Sequence, residues 1–485
     1  MVVNSLSFLW FFLIVLAIYY ICQNKKELQN IFLLLASYSF YSQIDIKMTL
    51  LLIILTLVFW FLGECISNYI EKEEEKKAAI ITNIGVVIGI GALFYFKYLD
   101  FFAESVATLA SHLGFHISWT AMHLVVPIGL SFFSFKLMSY VLDIYNGKIM
   151  PEKNFFNFAN YIAFFPTILS GPIDRPKAFL KQLTIARFFT PDNFLIGFKR
   201  VLWGMFLKMC IADRLDIYVS AIFNNYEHHS AISIIFASLL YPLQMYADFC
   251  GYSDMAIGVA LILGFKVSEN FNRPFFATNI AEYWRRWHMS LTNWLTDYVF
   301  LPLNIKFRSW GVYGTILAII INMLFVGLWH GANWTFFWFG LYHGLLFIPL
   351  VLSGKLLKKS KNKNNSNGWP NIKQFLNILG TYFLVTIGQF IFRAPSISEV
   401  CSILAHIPSS FNGWLFFDFT TMANALICIF ILAYVDIRKE WFTYKANLYP
   451  KFAKKWEWEV SVAIGIIIIL LFGVFDNNQF IYFQF

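Results

Sequence analysis

The sequence runs to 485 residues, of which 59% are hydrophobic, 20% aromatic and only 13% charged, against about 25% charged residues in an ordinary soluble domain. That deficit excludes a soluble globular protein, and the 16 Trp, 24 Tyr and 56 Phe suit a chain whose rings gather at membrane interfaces. The net charge of +9 sits in short segments between apolar runs, which the positive-inside rule explains without a nucleic-acid partner.

The predicted class is all-α, a polytopic transmembrane helical bundle. Ser5–Cys22 comes first; with no basic segment before it and no small-residue cleavage site, it reads as an uncleaved span and not a signal peptide. Further spans are predicted at Ile31–Ser42, Met48–Leu62, Ile80–Phe96, Leu124–Val141, Ile232–Met245, Val312–Leu328, Phe336–Leu352, Phe375–Phe392, Ala423–Val435 and Val460–Phe475. The count is about eleven or more, and runs shorter than the ~20 residues that cross a bilayer imply tilted or partly embedded helices. Between Pro151 and Leu303, Pro, Gly, Arg and Asp interrupt the apolar stretches. Non-helical backbone survives at membrane depth only where protein buries it or a cavity wets it. Re-entrant helices and the functional site are therefore expected in this middle region.

Basic residues orient the chain. Lys25 and Lys26, then Lys72, Lys76 and Lys77, then Lys355–Lys363, and finally Arg438–Lys455 all belong in the cytoplasm by the positive-inside rule, which predicts both termini outside. The division expected is a membrane core over 1–354, a polar basic cytoplasmic linker over 355–374, and C-terminal spans with an exterior FIYFQF tail over 375–485.

Two histidines carry the chemical signal. His288 lies in EYWRRWHMSLTNWLTDYVFLPL; read as one helix, the segment puts Trp284, Trp287, Leu291, Trp294, Leu295 and Tyr298 on an apolar stripe with His288 at its edge, beside Arg285 and Thr292. His330 lies in GLWHGANW, where Gly327, Gly331 and Ala332 allow close approach and Asn333 adds a polar group. A single such histidine would be a packed residue making one hydrogen bond. Two intramembrane imidazoles among Trp, Arg and Gly point to function, with His343 a weaker third. Imidazole is suited to take a proton from a hydroxyl near neutral pH, and Asn333, backbone amides near Gly331, or the other His could stabilise an oxyanion. Asp248 and Asp254, in YADFCGYSDMA, need partners in an apolar setting, and Arg273, Arg285 and Arg286 are the expected ones. Asp174 and Arg175 read as a turn with a local ion pair. Lys199, Arg200, Lys208 and Arg214 suit either donor phosphates or anionic lipid headgroups. The six cysteines are scattered without CxxC or Cys/His ligand spacing, so no metal site and no disulfide framework is expected.

The stretches VPIGLSFFSFKLMSYVLDIY, SGPIDRP, YADFCGYSDMAIGVALILGFKVSENFNRPF, EYWRRWHMSLTNWL, GLWHGANW and the terminal FIYFQF resemble the membrane-bound O-acyltransferase family. The resemblance is to its bacterial branch of alginate, polysaccharide and peptidoglycan O-acetylation proteins and the teichoic acid D-alanylation subunit. It implies that His330 is the family's core histidine, His288 its second, and Tyr482 a tyrosine able to carry the acyl group. It also implies acetyl-CoA as a cytoplasmic donor substrate with no permanently bound cofactor. The implied acceptor is an exported cell-envelope polysaccharide, served by a hydrolase-like transferase outside the cell membrane. The tail has a plainer reading as an aromatic interface anchor. Rival functions are D-alanyl transfer from a carrier-protein thioester and, in another class, a transporter or flippase using its histidines to relay protons.

Overall fold

The computed structural model describes residues 3–115, 119–122, 124–356, 369–442, 455–475 and 480; most of the 355–374 linker, the basic stretch 443–454 and Tyr482 lie outside them. Among the described residues all regular structure is helical, with no strand. Among the described residues, seven helices are long and apolar enough to cross a membrane: Ile46–Glu71, Glu75–His112, Ala231–Ile262, Arg308–His330, Trp334–Leu352, Ile372–Arg393 and Phe419–Trp441. Leu6–Ile21 and Glu459–Phe472 are shorter apolar helices. The chain is a multi-pass, all-helical membrane protein.

Two expected spans differ from their reading in the sequence for local reasons. In place of Leu124–Val141, helix begins only at Leu130, behind Gly129 in the left-handed conformation at φ 80. Pro127 supplies no amide hydrogen, and a side chain at Gly129 would run into the Ile168 carbonyl. The run Ile31–Ser42 belongs to a helix Lys26–Ser42 that buries Gln29, Asn30 and Ser37. Gln29 Nε2 donates to the Arg187 carbonyl at 2.8 Å, and Asn30 accepts from the Arg187 guanidinium, so this face is built for protein contact and not for lipid.

The described residues divide into two compact units, one comprising 1–198 with 256–268 and the other 199–255 with 269–485. In the first, Lys136 is buried and donates to the Tyr161 carbonyl and Thr167 Oγ1 at 3.3 and 3.1 Å. Asp174 there accepts from the Ser268 amide and hydroxyl at 2.8 and 2.7 Å. The SGPIDRP motif is thus tied into a buried polar network.

The second unit contains His288, His330 and His343. One helix feeding it, Ala231–Ile262, has 67% of its apolar window buried in protein, against 22–44% for the other six; it is packed by protein where those face lipid. Gly204 and Gly251 let it meet the helical stretch that carries Lys208: a Cβ on Gly251 would fall 2.7 Å from the Gly204 carbonyl oxygen. At that close approach Lys208 Nζ reaches Asp248 Oδ1 at 2.5 Å and Asp213 Oδ1 at 2.9 Å, all three side chains being buried. Lys208 lies in a π-helical turn, Phe206–Ala212, a widening that interrupts α-helical register and often marks a functional position.

Candidate active site

His330 is the last residue of the helix Gly311–His330, and after three intervening residues Trp334–Leu346 begins. The two helices form a tight hairpin because Gly327 and Gly340 face one another, where a Cβ on either would strike the other helix's backbone. Asn333 caps the second helix, its Oδ1 accepting from the Thr335 amide at 3.0 Å and its Nδ2 donating to the Pro395 carbonyl at 2.8 Å. Such a cap contributes about 1 kcal/mol. The Asn333 amide thus helps to fix the hairpin that presents His330.

His288 is held differently from the continuous helix read in the sequence. Helix Ile280–Trp284 stops, Arg285–His288 form a non-helical turn, and a new helix Met289–Leu295 begins, followed by a π-helical turn Thr296–Phe300. His288 sits at the break with φ 41 and ψ 54, left-handed backbone on a non-glycine residue. That conformation costs about 1–3 kcal/mol and persists only where surroundings impose it. Here Asn270 supplies the constraint: its carbonyl accepts from the Met289 amide at 2.8 Å, its Oδ1 from Ser290 Oγ at 2.6 Å, and its Nδ2 donates to Ser253 Oγ at 3.0 Å. The Asn272 amide adds a bond to the Arg286 carbonyl at 2.9 Å. Periodicity could not reveal this break, because the apolar spacing continues through it: Trp284, Trp287, Leu291, Trp294 and Leu295 are all buried.

The two histidines are both buried, at 1% and 8% exposure, and a single indole joins them. The Trp329 ring lies 5.5 Å from the His288 ring and 5.2 Å from the His330 ring. Phe249, from the protein-packed helix, stands edge-on to His288 at 4.6 Å. On the far side Phe392 lies 5.2 Å from His330, and Phe339 spans from His330 at 6.2 Å to His343 at 4.6 Å. His343 Nδ1 accepts from Trp284 Nε1 at 3.3 Å. All three imidazoles therefore share one aromatic cluster, in which Trp329, Phe249, Phe339 and Phe392 carried no signal among the chain's many rings. Burial, and after it the neighbouring His330 imidazole, hold the His288 ring well below the usual imidazole range, so it is neutral near pH 7.

A cavity of about 180 Å³ lies alongside, with Trp284, Arg285, Thr292, Thr296, Asn322 and Met323 among its lining residues. Arg285 is exposed and donates from Nη1 to the Leu356 carbonyl at 3.4 Å. The aspartates find other partners than the expected Arg273, Arg285 and Arg286. Asp248 pairs with Lys208, and Asp254 takes Arg200 Nε at 2.8 Å. Arg273 and Arg286 instead share Glu440, at 2.8 and 2.9 Å, with Arg286 also on Glu282 at 2.8 Å. Helix geometry decides this, since Lys208 and Arg200 come from a neighbouring helix that the sequence separates by 40 and 54 residues. Tyr482 lies outside the described residues. Phe480, two positions before it, is buried, with Lys208 Nζ 4.4 Å from its ring centre and the Tyr252 ring at 4.7 Å.

Comparison with known proteins gives several matches. The model of MBOAT, the membrane-bound O-acyltransferase family, matches residues 33–387. The probable alginate O-acetylase AlgI of Pseudomonas aeruginosa is 34% identical over 416 residues, covering 85% of this chain and 76% of the relative. The peptidoglycan O-acetyltransferase of Helicobacter pylori is 29% identical over 406 residues, covering 77% and 73%. The teichoic acid D-alanyltransferase of Bacillus subtilis is 28% identical over 334 residues, covering 67% and 81%.

Proposed function

The chain belongs to the membrane-bound O-acyltransferase family and is an acyltransferase, and from that premise we propose that it transfers an acetyl group from acetyl-CoA, for O-acetylation of an exported cell-envelope polysaccharide. The observation that carries the reading is the buried pair His288 and His330 joined through Trp329. In the proposed step His330 takes the proton of a hydroxyl while that oxygen forms a bond to the thioester carbonyl carbon. The tetrahedral intermediate collapses, the C–S bond breaks, and the departing thiolate takes the proton back from the imidazolium. A neutral His288 has one N–H with which to stabilise the developing oxyanion. The aromatic surround excludes water that would otherwise hydrolyse the donor. Arg285, which lines the neighbouring cavity, would meet a donor phosphate.

Acceptance at the outer face is assigned to Tyr482. Phe480, two positions earlier, packs on Tyr252, one helical turn from the Phe249 that touches His288, and this contact supports the reading. The Tyr482 oxygen would take the acetyl group as an ester and pass it on, directly or through an exported hydrolase-like transferase. Acetyl in place of D-alanyl is favoured because the alginate O-acetylase is matched at 34% over 85% of this chain and the D-alanyltransferase at 28% over 67%.

The test is the base-labile ester content of envelope polymers in cells carrying wild type, His330→Ala or Tyr482→Phe. Loss of acetate in His330→Ala, at unchanged protein level, is the expected result. Loss of D-alanine would keep the mechanism and replace the donor, while no change in either would sink catalysis at His330. Undiminished acetate with Tyr482→Phe, which keeps the ring and removes the nucleophile, would end the relay.

A further inference from the structure

The cavity of about 180 Å³ beside the histidine cluster has two distinct ends. The helix Gly311–His330 gives it one stripe at helical spacing, Ile319, Asn322, Met323 and Val326, and Val326 is one turn before His330. The partner helix Trp334–Leu346 runs antiparallel: a Cβ on Gly340 would strike Met323, and one on Gly344 would stand 3.1 Å from the Ile320 Cα. Phe347 follows Gly344 and Leu356 comes later still, so both belong to the end of the cavity away from His330. Arg285, bonded to the Leu356 carbonyl, shares that end.

Within largely apolar walls, three side-chain oxygens are open to hydrogen-bond donors. The Asn322 Oδ1 is buried and accepts no hydrogen bond among the described residues. The Thr296 hydroxyl donates to the Thr292 carbonyl at 2.7 Å, and the Thr292 hydroxyl to the Trp287 carbonyl at 3.2 Å. Each threonine has thus spent its one proton and keeps lone pairs. A buried oxygen without a partner is costly, and a lipid tail in the cavity would leave Asn322 as it is. A ligand that carries N–H groups on an apolar chain would satisfy it. Asn322 stands eight residues before His330, roughly 12 Å along the helix.

We propose that Asn322 is a specificity-determining residue for the acyl donor: its Oδ1 accepts a hydrogen bond from an amide N–H of a pantetheine arm lying along the cavity, with the thioester at the His330 end. The inference rests on the acyl-transfer reading above. It does not rest on which donor presents the arm, since coenzyme A and a carrier protein both hold their thioester on pantetheine. The arm alternates short methylene runs with two amides, which suits apolar walls relieved by an acceptor. The amide farther from the sulfur fits the offset between Asn322 and His330. The nearer one, two carbons from the sulfur, falls at the level of Val326. No charge at Arg285 is needed for this contact, and the bond-making chemistry stays with the histidines.

The experiment uses the purified full chain in detergent. It measures binding of S-acetylpantetheine, and of its analogue with an ester oxygen in place of the farther N–H, to wild type and to Asn322→Leu. Wild type should bind the analogue about five- to tenfold more weakly. Asn322→Leu should bind the two alike. Equal binding of both by wild type would overturn the proposal without recourse to any variant, and so would discrimination retained by Asn322→Leu. Acetyl-CoA and a D-alanyl carrier protein, added as competitors, separate this result from the donor assignment. Displacement of S-acetylpantetheine by the carrier protein and not by acetyl-CoA would replace the donor and leave Asn322 its role. Failure of wild type to bind any of these thioesters would remove the transferase reading, and the proposal with it.

Discussion

At the scale of single residues, His288 combines three costs: burial of an imidazole, a left-handed backbone at φ 41, and a second imidazole close by. The turn that holds it is stitched by Asn270 to Ser253 and Ser290, so the ring is positioned before any substrate arrives. His288 lies between the spans Ala231–Ile262 and Arg308–His330, and burial keeps its pKa well below the ordinary value. The unfolded chain takes up a proton at this ring near ~6.5. Its neutral, folded form therefore contributes fully above about pH 6.5, and stability is lost as pH falls toward the lower folded value. Between about pH 7.5 and 5.5 the unfolding midpoint of wild type should drop further than that of His288→Gln. Equal drops would show that the ring is not held neutral in the folded protein.

At the scale of elements, the Gly204–Gly251 crossing matters through what it buries. Lys208 satisfies two carboxylates at once, Asp213 and Asp248, and carries Phe480 of the tail on its ammonium. Breaking a buried pair by removing one partner costs about 3–5 kcal/mol. Lys208→Met leaves two buried carboxylates and should lower the thermal midpoint in detergent more than Asp248→Asn, which leaves Lys208 with Asp213. Lys208→Met/Asp213→Leu/Asp248→Leu should recover much of the loss, since apolar replacement of a whole buried ion group is often neutral. An Asp248→Asn effect as large as that of Lys208→Met would mean that Asp213 does not share the ammonium.

At the scale of the whole molecule, orientation rests on charge. Lys25 lies between two apolar helices, Lys76 in the first turn of the helix Glu75–Leu93, and Lys363 in the polar linker. Single cysteines placed at these positions in a cysteine-free chain should react with an impermeant maleimide only after the membrane is breached. Labelling in intact cells would reverse the proposed topology, and with it the route of acetyl from cytoplasm to exterior. The protein-packed helix Ala231–Ile262 has a matching role at this scale: it brings Asp248, Phe249, Tyr252 and Asp254 into the interior, where lipid-facing helices could not carry them.

Composition and hydropathy by themselves determined the membrane class and the helical architecture, because lipid permits little besides helices to span it. The motif stretches determined the family and pointed to His288 and His330, since intramembrane imidazoles are too costly to be incidental. The span count was less legible: Leu124–Val141 looks continuous in hydropathy, yet Pro127 and Gly129 hold the start of the helix back to Leu130. Tertiary structure alone decided the break at 285–288, imposed by Asn270 across a loop. It alone chose Lys208 and Arg200 over the arginines nearer in sequence as partners of the aspartates. The same is true of Trp329 between the histidines and of Asn322 on one cavity with Arg285. In each case the contact joins segments far apart in the chain, and local spacing carries no information about which distant helix packing brings near.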